Sequence, residues 1–205
     1  MAKDAERIGR DAHIKMRLLG IIHGDGNTTN GRLTITDMSE AYHKKVLRPM
    51  FVKAFGIEPN VFYEPQRNSY SSHTKRKNIY RFFTDNMQVP IGAIRSQLFV
   101  PEFVKNASIP LQREYVGGLY DAEGSVRSRQ AEIYFSITNK EVYEFVKRVL
   151  KQAKISFSIY ERHRHAKPEY EIYIYGRDDL KKFNRLIKFK HPDKIKGLLK
   201  HINIH

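Results

Sequence analysis

The 205-residue sequence predicts an α+β fold made of two pseudo-symmetric half-domains, each with an antiparallel sheet packed on helices. Three observations lead to this prediction: one apolar segment occurs twice, each copy is followed by alternating strands and a helix, and 40% of the residues are hydrophobic. A chain of this length can bury one large core or two small cores in contact. The predicted division is an N-terminal arm (1–13), a first half-domain (14–87), a linker (88–111) and a second half-domain (112–205).

The duplicated segment is the main sign of internal symmetry. Residues 18–26 read LLGIIHGDG and residues 116–124 read VGGLYDAEG, so each copy is an apolar stretch with small residues that ends in an acid and a glycine. Predicted strands follow each copy, and predicted helices follow those strands at 39–55 and 141–153. A fourth match follows the helices, between residues 55–57 and 153–155. Four elements repeated in the same order indicate a duplicated unit rather than a chance match.

Alternation of apolar and polar residues predicts the strands. In residues 130–137 the apolar side chains of Ile133, Phe135 and Ile137 share one face of the predicted strand. The same pattern predicts strands over 155–160 and 171–175 whose core-facing residues are Ile155, Phe157, Ile159, Ile172 and Ile174. A sheet with one apolar face packs on helices and leaves its polar face free to bind a partner. The proline-rich stretch between the repeats predicts a connection with a short helix around 101–105.

Small residues predict how the two repeated segments pack if both are helical. Gly20 and Gly24 are four residues apart and share a helix face, as do Gly118 and Ala122. Small residues stacked in this way allow two helix backbones to approach closely. We therefore expect the two helices to pack together and to form the interface between the half-domains.

The acid at the end of each helix is the candidate for chemistry. Gly26 and Gly124 are predicted to end the helices in the left-handed C-cap conformation, which brings Asp25 and Glu123 side by side. Two carboxylates at the negative ends of helix dipoles repel each other, and a bridging divalent cation removes that penalty. Oxygen ligands suit Mg²⁺, and paired metal ions are a common device for cleaving phosphodiesters. The alternative is that each acid lies at an ordinary solvated helix end.

Charge indicates a polyanionic partner. The chain has 37 Lys and Arg against 22 Asp and Glu, a formal net charge of +15. Such a surface is typical of nucleic-acid binding, with a ribosome-associated protein or a merely basic surface as alternatives.

Composition also excludes several classes of protein. The chain has no cysteine, which rules out disulfides and cysteine-based zinc sites. It has no apolar run of about 18 residues and no apolar signal core near its start. We expect a protein without a membrane partner, in the cytoplasm of a prokaryote, with an organelle as the alternative.

The two segments resemble the paired LAGLIDADG motifs of homing endonucleases, and the resemblance covers the chain from about Met16 onward. It implies a pair of αββαββα halves whose sheets form a saddle over DNA, and a monomer that needs no second copy. It also implies a site-specific endonuclease of intron homing that cuts both strands of a long, asymmetric DNA target across the minor groove and leaves 3′ overhangs.

In this family the last acid of each motif binds the catalytic metal, which implies Asp25 and Glu123 here. The predicted metal site comprises these two residues and the preceding Gly24 and Ala122. The implied cofactor is Mg²⁺, with Mn²⁺ as another active ion and Ca²⁺ as an ion that binds without supporting cleavage. His23 stands where the family consensus has Asp; because residues two apart on a helix point apart, a packed or DNA-facing histidine is favoured over a ligand.

Other polar residues complete the predicted catalytic set. Many relatives carry a Gln after the second strand that orders water, and the corresponding positions here are taken to be Asp37 and Asn139. Each either positions water or caps the helix that follows. Relatives often place a basic residue near the scissile phosphates, for which Lys190, Lys194 and Arg95 are the candidates.

DNA readout is assigned to the polar sheet faces and to the charged turns at 67–81 and 162–167. The predicted DNA-binding residues are Arg32, Thr34, Thr36, Arg67, Lys75, Arg76, Arg81, Arg127, Arg129, Gln130, Glu132, Tyr134, Ser136, Arg162, Arg164 and Tyr173.

Three rival functions fit parts of the pattern. An RNA-binding intron maturase or a catalytically silent DNA-binding protein would share the fold, but retention of both acids argues against each. A basic structural protein of a ribonucleoprotein gives no reason for duplicated acid–glycine helix ends.

Overall fold

The computed structural model describes residues 8–92, 94–127, 129–164 and 167–202, so most of the predicted N-terminal arm lies outside the described part. The first half-domain begins with α1 (Ala12–Asp25), β1 (Gly26–Asn27) and β2 (Leu33–Asp37). The next helical stretch has three consecutive parts: α2 (Glu40–Tyr42), a π-helical segment (His43–Leu47) and α3 (Arg48–Phe55). Next come β3 (Asn60–Glu64), a 3₁₀ turn (Pro65–Arg67), β4 (Ser69–Thr74), α4 (Lys77–Arg81) and a second π-helical segment (Phe82–Asn86).

The second half-domain repeats this order. Two short helices, α5 (Ile94–Gln97) and α6 (Glu102–Lys105), precede it. It consists of α7 (Ile109–Glu123), β5 (Gly124–Arg127), β6 (Glu132–Ile137), α8 (Lys140–Gln152), β7 (Ser158–Arg164), β8 (Lys167–Tyr175), α9 (Arg177–Leu186) and α10 (Pro192–Ile202). Helix α7 begins inside the segment assigned to the linker, and the domain boundaries themselves stay a prediction.

Both sheets have four antiparallel strands and the same topology. The strand orders are β1-β2-β4-β3 and β5-β6-β8-β7. Gly26 pairs with Ile35 in the first sheet, and Gly124 pairs with Phe135 in the second. The predicted α+β fold with two half-domains is therefore confirmed.

Strand alternation builds the core, as predicted for β2 and β6. Leu33 and Ile35 are buried, while Thr34 and Thr36 between them are only half-buried on the opposite face. β6 repeats the pattern, with three buried apolar residues and three half-buried polar ones. Each apolar face packs on helices, and each polar face is left on the other side of its sheet.

The outer strand β7 departs from the prediction. It begins at Ser158, so Ile155 is buried ahead of the strand and Phe157 also precedes it. The side chain of Ile159 is 48% exposed, although it pairs with the buried Ile172. Because β7 is the last strand of its sheet, it has a neighbouring strand on one side only, and alternation alone could not distinguish an outer strand from a central one.

The predicted left-handed helix ends are wrong. Gly26 (φ −89°, ψ 159°) and Gly124 (φ −83°, ψ 159°) are extended, because each helix runs directly into a strand. Glycine is required there for space instead. A Cβ at Gly26 would lie 2.8 Å from Ile22 Cα, and one at Gly124 would lie 2.9 Å from Tyr120 Cδ1.

Candidate active site

The helices α1 and α7 pack backbone against backbone. A Cβ added at Gly20 would lie 2.9 Å from Leu119 N and 3.0 Å from Gly118 Cα, and one at Gly118 would lie 2.9 Å from Ile21 N. Any larger residue would force the helices apart. The predicted interface through small residues is therefore present.

The two motif acids lie at adjoining helix ends. Asp25 is the last residue of α1, Glu123 is the last residue of α7, and both are half-buried. A Cβ at Gly24 would lie 3.2 Å from Glu123 Cγ and would overlap the Ala122 side chain. The helix pairing thus brings together the two helix ends that carry the acids singled out by the duplicated sequence pattern.

Lys194 lies at the same end of α7. Its Nζ donates hydrogen bonds to the carbonyl oxygens of Tyr120 (3.3 Å), Ala122 (3.1 Å) and Asp121. Burial lowers the pKa of Lys194, and four nearby carboxylates oppose that shift: Asp121, Asp25, Asp37 and Glu123. The ammonium group therefore belongs to the charge cluster around the paired acids.

Lys190 belongs to a different group of charges. Burial lowers the pKa of its side chain, and the charges that act on it are Glu114, Arg17, Asp121 and Lys188. The structure thus separates the two predicted lysines, with Lys194 near the paired acids and Lys190 near the buried Arg17. The side chains of Arg95 and Arg164 lie outside the described part of the chain.

A buried ion pair joins the two motif helices, and sequence reasoning missed it. Arg17 Nε and Nη2 lie 2.9 and 2.7 Å from Asp121 Oδ2, and both side chains are fully buried. Arg17 also donates to the carbonyls of Ile187 (3.1 Å) and Lys188 (2.6 Å). Asp121 Oδ1 accepts the backbone N–H groups of Lys190 (2.8 Å) and His191 (3.0 Å). The only sequence signal was a lone arginine within an apolar helix.

The Arg17–Asp121 pair holds the backbone of residues 187–191 in place, and this segment positions His191 and Lys194 at the site. His191 Nε2 lies 3.2 Å from Asp37 Oδ1, and its ring stacks on Tyr42 with centroids 4.4 Å apart. The backbone N–H of Ser39 donates to Asp37 (2.6 Å). Burial would raise the pKa of Asp37, but the hydrogen bonds with His191 and Ser39 outweigh burial and lower it. His191 is a second site residue that sequence reasoning did not select.

Asn139 caps the following helix, which was one of its two predicted roles. Its Oδ1 accepts the N–H of Val142 (2.9 Å), and its Nδ2 donates to Leu98 O (2.6 Å). It also borders a cavity of about 380 Å³ beside Glu123. The Asn139 side chain therefore caps α8, and the residue also lies near Glu123.

The predicted equivalence of Asp37 and Asn139 is wrong. Because Gly26 pairs with Ile35 but Gly124 with Phe135, the second hairpin is longer than the first. In this register Asp37 corresponds to Ile137, and Ser39 corresponds to Asn139. The sequence comparison matched the polar residues that end the two strand segments, and it had no information on the strand register that separates them.

His23 is a packed histidine that borders the same cavity. Its Nδ1 lies 2.8 Å from the Tyr115 hydroxyl oxygen, and the residue is 1% exposed. Burial lowers its pKa to about 3, so the imidazole is neutral near pH 7. Its contacts agree with the predicted packing role and not with a metal-ligand role beside Asp25.

The residues predicted to contact DNA lie in two settings. Thr34 and Thr36 are on the polar face of the first sheet, and Thr36 Oγ1 lies 3.0 Å from Ser71 Oγ. On the polar face of the second sheet are Glu132, Tyr134, Ser136 and Tyr173, beside the exposed Arg127. Most of the others are exposed in turns, at helix ends or in the outer strand: Arg67, Lys75, Arg76, Arg81, Arg129, Gln130 and Arg162. Gln130 precedes β6 and is therefore not a strand residue, contrary to the prediction.

Two features are absent from the described residues. No group of three or more His, Asp and Glu side chains there is arranged to hold a metal ion. No helix in the same residues is both long and apolar enough to span a membrane.

Two half-domains with identical sheet topology are joined through paired acid-ended helices, and solved LAGLIDADG structures share this architecture. A LAGLIDADG-like domain model matches residues 110–188, which cover the second half. The structure of I-DmoI in complex with DNA and Mn aligns with a TM-score of 0.63 at 23% identity, covering 88% of this chain and 98% of that one. The chain is therefore similar to LAGLIDADG proteins in sequence over its second half and in fold over most of its length.

Curated relatives match at comparable identity, and the chain spans only part of their length. The tRNA-splicing ligase RtcB of Pyrococcus abyssi is 24% identical over 223 aligned residues, which cover 96% of this chain. The chain spans only 24% of the length of that relative. Homing endonuclease I-ApeI of Aeropyrum pernix is 26% identical over 140 residues, or 66% of this chain and 62% of the relative. The N-terminal LAGLIDADG domain of DUF199/WhiA shares the fold at 15% identity and a TM-score of 0.60.

Proposed function

We propose that this protein is a site-specific DNA endonuclease of the homing type, which hydrolyses both strands across the minor groove and leaves 3′ overhangs. The observation that carries the proposal is the pair of acids, Asp25 and Glu123, at the adjoining ends of two helices that pack through glycine. Folding alone does not favour two carboxylates at this position, because each lies at the negative end of a helix dipole. A shared role with a divalent cation explains why both are present.

The donor set fits Mg²⁺, with Mn²⁺ as another active ion. The proposed ligands are the Asp25 and Glu123 carboxylates, with the carbonyl oxygens of Gly24 and Ala122 beside them. Mg²⁺ is usually held by one or two carboxylates together with waters and substrate phosphates, so the absence of a third acidic or histidine ligand in the described residues is compatible with it. When bound, the metal would lower the pKa of water and stabilise charge on the phosphate.

Lys194 is the proposed basic residue of the site. Its ammonium group already binds three carbonyl oxygens at the end of α7, so it is held in place before substrate arrives. Held there, it would stabilise negative charge that develops on a phosphate during cleavage. The Ala122 carbonyl oxygen, one of the proposed metal ligands, accepts one of these hydrogen bonds.

Supporting roles, without direct contact to the phosphate, are proposed for Asp37, Asn139 and Lys190. Asp37 holds His191 beside the site, and Asn139 borders the cavity next to Glu123. Lys190 lies among the charges of the Arg17 pair, so we assign it to the support of the site.

The proposed partner is double-stranded DNA with a long, asymmetric target site, bound by one copy of the chain. Support comes from the +15 net charge, the two polar sheet faces and the I-DmoI structures that contain DNA. Two different halves in one chain would present two different surfaces to the DNA, so the target need not be palindromic.

The test begins with DNA selected from a random library by binding in Ca²⁺. The selected duplex is then incubated with Mg²⁺ and the wild type, Asp25→Asn or Glu123→Gln. We expect double-strand cleavage by the wild type and binding without double-strand cleavage by both variants. Cleavage that persists in both variants would refute the site assignment.

A matched pair of lysine variants tests the basic residue. Lys194→Met should slow cleavage at least roughly tenfold without loss of DNA binding, whereas Lys190→Met should have a much smaller effect. Equal effects of the two substitutions would contradict the assignment of Lys194.

A catalytically silent DNA-binding protein is the second candidate, because the WhiA domain shares the fold. It predicts tight DNA binding with no cleavage in any divalent ion. Strong RNA binding without DNA cleavage would instead favour an intron maturase.

A further inference from the structure

The polar face of the second sheet holds an arginine in a fixed position. The guanidinium carbon of Arg127 lies 4.5 Å from the ring centroid of Tyr134 and 5.2 Å from that of Tyr173. Its Nη1 lies 3.0 Å from Glu132 Oε1 and 3.5 Å from Gln130 Oε1. Cation–π contacts and an ion pair together restrict a side chain that would otherwise be mobile.

The hydroxyl groups of both tyrosines are hydrogen-bonded to Glu171, which lies on the same face of the sheet. This carboxylate is 2% exposed and accepts hydrogen bonds from the hydroxyls of Tyr134 (3.1 Å) and Tyr173 (2.8 Å). The Nε of Arg162 lies 3.0 Å from the same carboxylate. We call Tyr134, Tyr173 and Glu171 the tyrosine frame. A buried carboxylate with several donors is costly to move, so the frame fixes the plane in which Arg127 lies.

The first sheet has no corresponding arrangement. The strand register places Thr34, His73 and Ser71 where the second sheet has Tyr134, Tyr173 and Glu171. Strand β1 ends at Asn27, so the first sheet lacks a strand position equivalent to Arg127. The two halves therefore differ in how rigidly they present hydrogen-bond donors.

Resting on the proposed function, we infer that Arg127, oriented by the tyrosine frame, reads a guanine in the major groove of the second half-site. Guanine presents two acceptors, O6 and N7, which match the paired N–H groups of a guanidinium. The contacts of Arg127 with Glu132 and Gln130 both use Nη1. Because a guanidinium carries five N–H donors, Arg127 can keep these contacts and still form two hydrogen bonds to a base. A side chain ordered before binding loses less entropy when it binds.

The two half-domains should therefore recognise their half-sites with unequal strictness. The first sheet offers hydroxyl groups such as those of Thr34 and Thr36, which can donate or accept and therefore discriminate bases less strictly. We expect the base preferences of the second half-site to be stronger than those of the first.

The experiment measures binding in Ca²⁺ to the selected duplex and to duplexes with each base pair changed in turn. Wild-type protein should prefer guanine at one position of the second half-site by roughly 5- to 150-fold. Arg127→Lys keeps the charge but loses the paired donors, so this preference should fall below about threefold at that position alone. Tyr173→Phe keeps the ring but removes its hydroxyl bond to Glu171, and should weaken the same preference partially.

Arg129→Ala is the matched control, because Arg129 lies in the exposed turn next to this face. It should weaken binding similarly for all duplexes and reduce the slope of the salt dependence by about one. If Arg127→Lys leaves every base preference unchanged, or if Arg127→Ala behaves like the control, Arg127 contacts phosphate and the inference is overturned. Failure of the wild type to bind any duplex would instead refute the proposed function.

Discussion

Arg17 and Asp121 form a charge pair inside the interface of the two motif helices. Both side chains are fully buried, and their remaining hydrogen bonds go to backbone groups of residues 187–191. Taking two charges out of water is costly, so a pair of this kind contributes little net stability but is expensive to break. Its value here is geometric, because it fixes the segment that leads to His191 and Lys194.

Removal of one partner should destabilise the protein strongly. Arg17→Met leaves a buried carboxylate without its cation, and we expect the free energy of unfolding to fall by about 3–5 kcal/mol. The double variant Arg17→Met/Asp121→Asn keeps an oxygen acceptor for the Lys190 and His191 N–H groups. It should cost less than the two single variants together, as measured by denaturant unfolding. Simple additivity would show that the pair is not coupled.

The ionisation of His23 makes the stability of the folded protein depend on pH. Its pKa is about 3 in the folded protein and near 6.5 when unfolded, so the unfolded chain binds a proton more readily between these values. Stability conferred by neutral His23 is present above pH 6.5 and is lost as the pH falls towards 3. The loss from pH 7 to pH 5 should be roughly 2 kcal/mol.

The check compares wild type with His23→Gln by denaturant unfolding at several pH values. The variant should show a smaller loss of stability between pH 7 and pH 5. The buried His43, whose pKa is also lowered by burial, remains in both proteins and so serves as an internal reference. Parallel curves for the two proteins would contradict the prediction.

At the scale of elements, the pairing of α1 and α7 depends on backbone contact rather than on side-chain packing. Gly20 and Gly118 meet at this contact, and Gly24 meets Ala122 closer to the paired acids. Because the acids follow directly, a change in the helix spacing also changes the distance between the carboxylates. Interface packing and the proposed chemistry are thus linked through the same glycines.

Gly118→Ala should therefore reduce both stability and cleavage. The added Cβ would lie 2.9 Å from Ile21 N and would overlap the carbonyl oxygen of Arg17, so the helices must separate. We expect a loss of roughly 1–3 kcal/mol or more in unfolding free energy. Gly197→Ala in α10 is the control, since its Cβ would meet only the Val126 side chain, at 3.3 Å. Equal stability losses in the two variants would contradict a special role for the helix contact.

The whole molecule is strongly basic. This charge affects how the protein associates with DNA rather than how it folds. A net charge of +15 on a chain that presents two polar sheet faces should attract DNA over long distances. Contacts to phosphate release counterions, so affinity falls steeply as salt concentration rises.

DNA affinity should fall by roughly a thousandfold or more between 50 and 200 mM salt, as expected for six or more phosphate contacts. Equilibrium binding in Ca²⁺ at a series of salt concentrations measures the slope. A flat dependence would mean that the basic surface does not face DNA, and would count against the saddle as the binding surface.

The sequence by itself determined the duplication, the α+β class, the faces of β2 and β6 and the identity of the paired acids. These features are local or repeated. Alternation is a property of a few successive residues, and two copies of an acid–glycine ending can be recognised in the linear sequence. The glycines of the motif also predicted the helix contact, since their spacing fixes a face.

Only the tertiary structure decided features that depend on residues far apart in the chain. The Arg17–Asp121 pair and the His191–Asp37 contact each join residues more than 100 positions apart in the chain, and the local sequence around one partner does not identify the other. The equivalence of Asn139 with Ser39 depends on the length of a turn, which changes strand register without altering the motif. The extended ends of the helices were decided by the strands that follow at once, because a strand requires a backbone conformation that a left-handed cap does not provide.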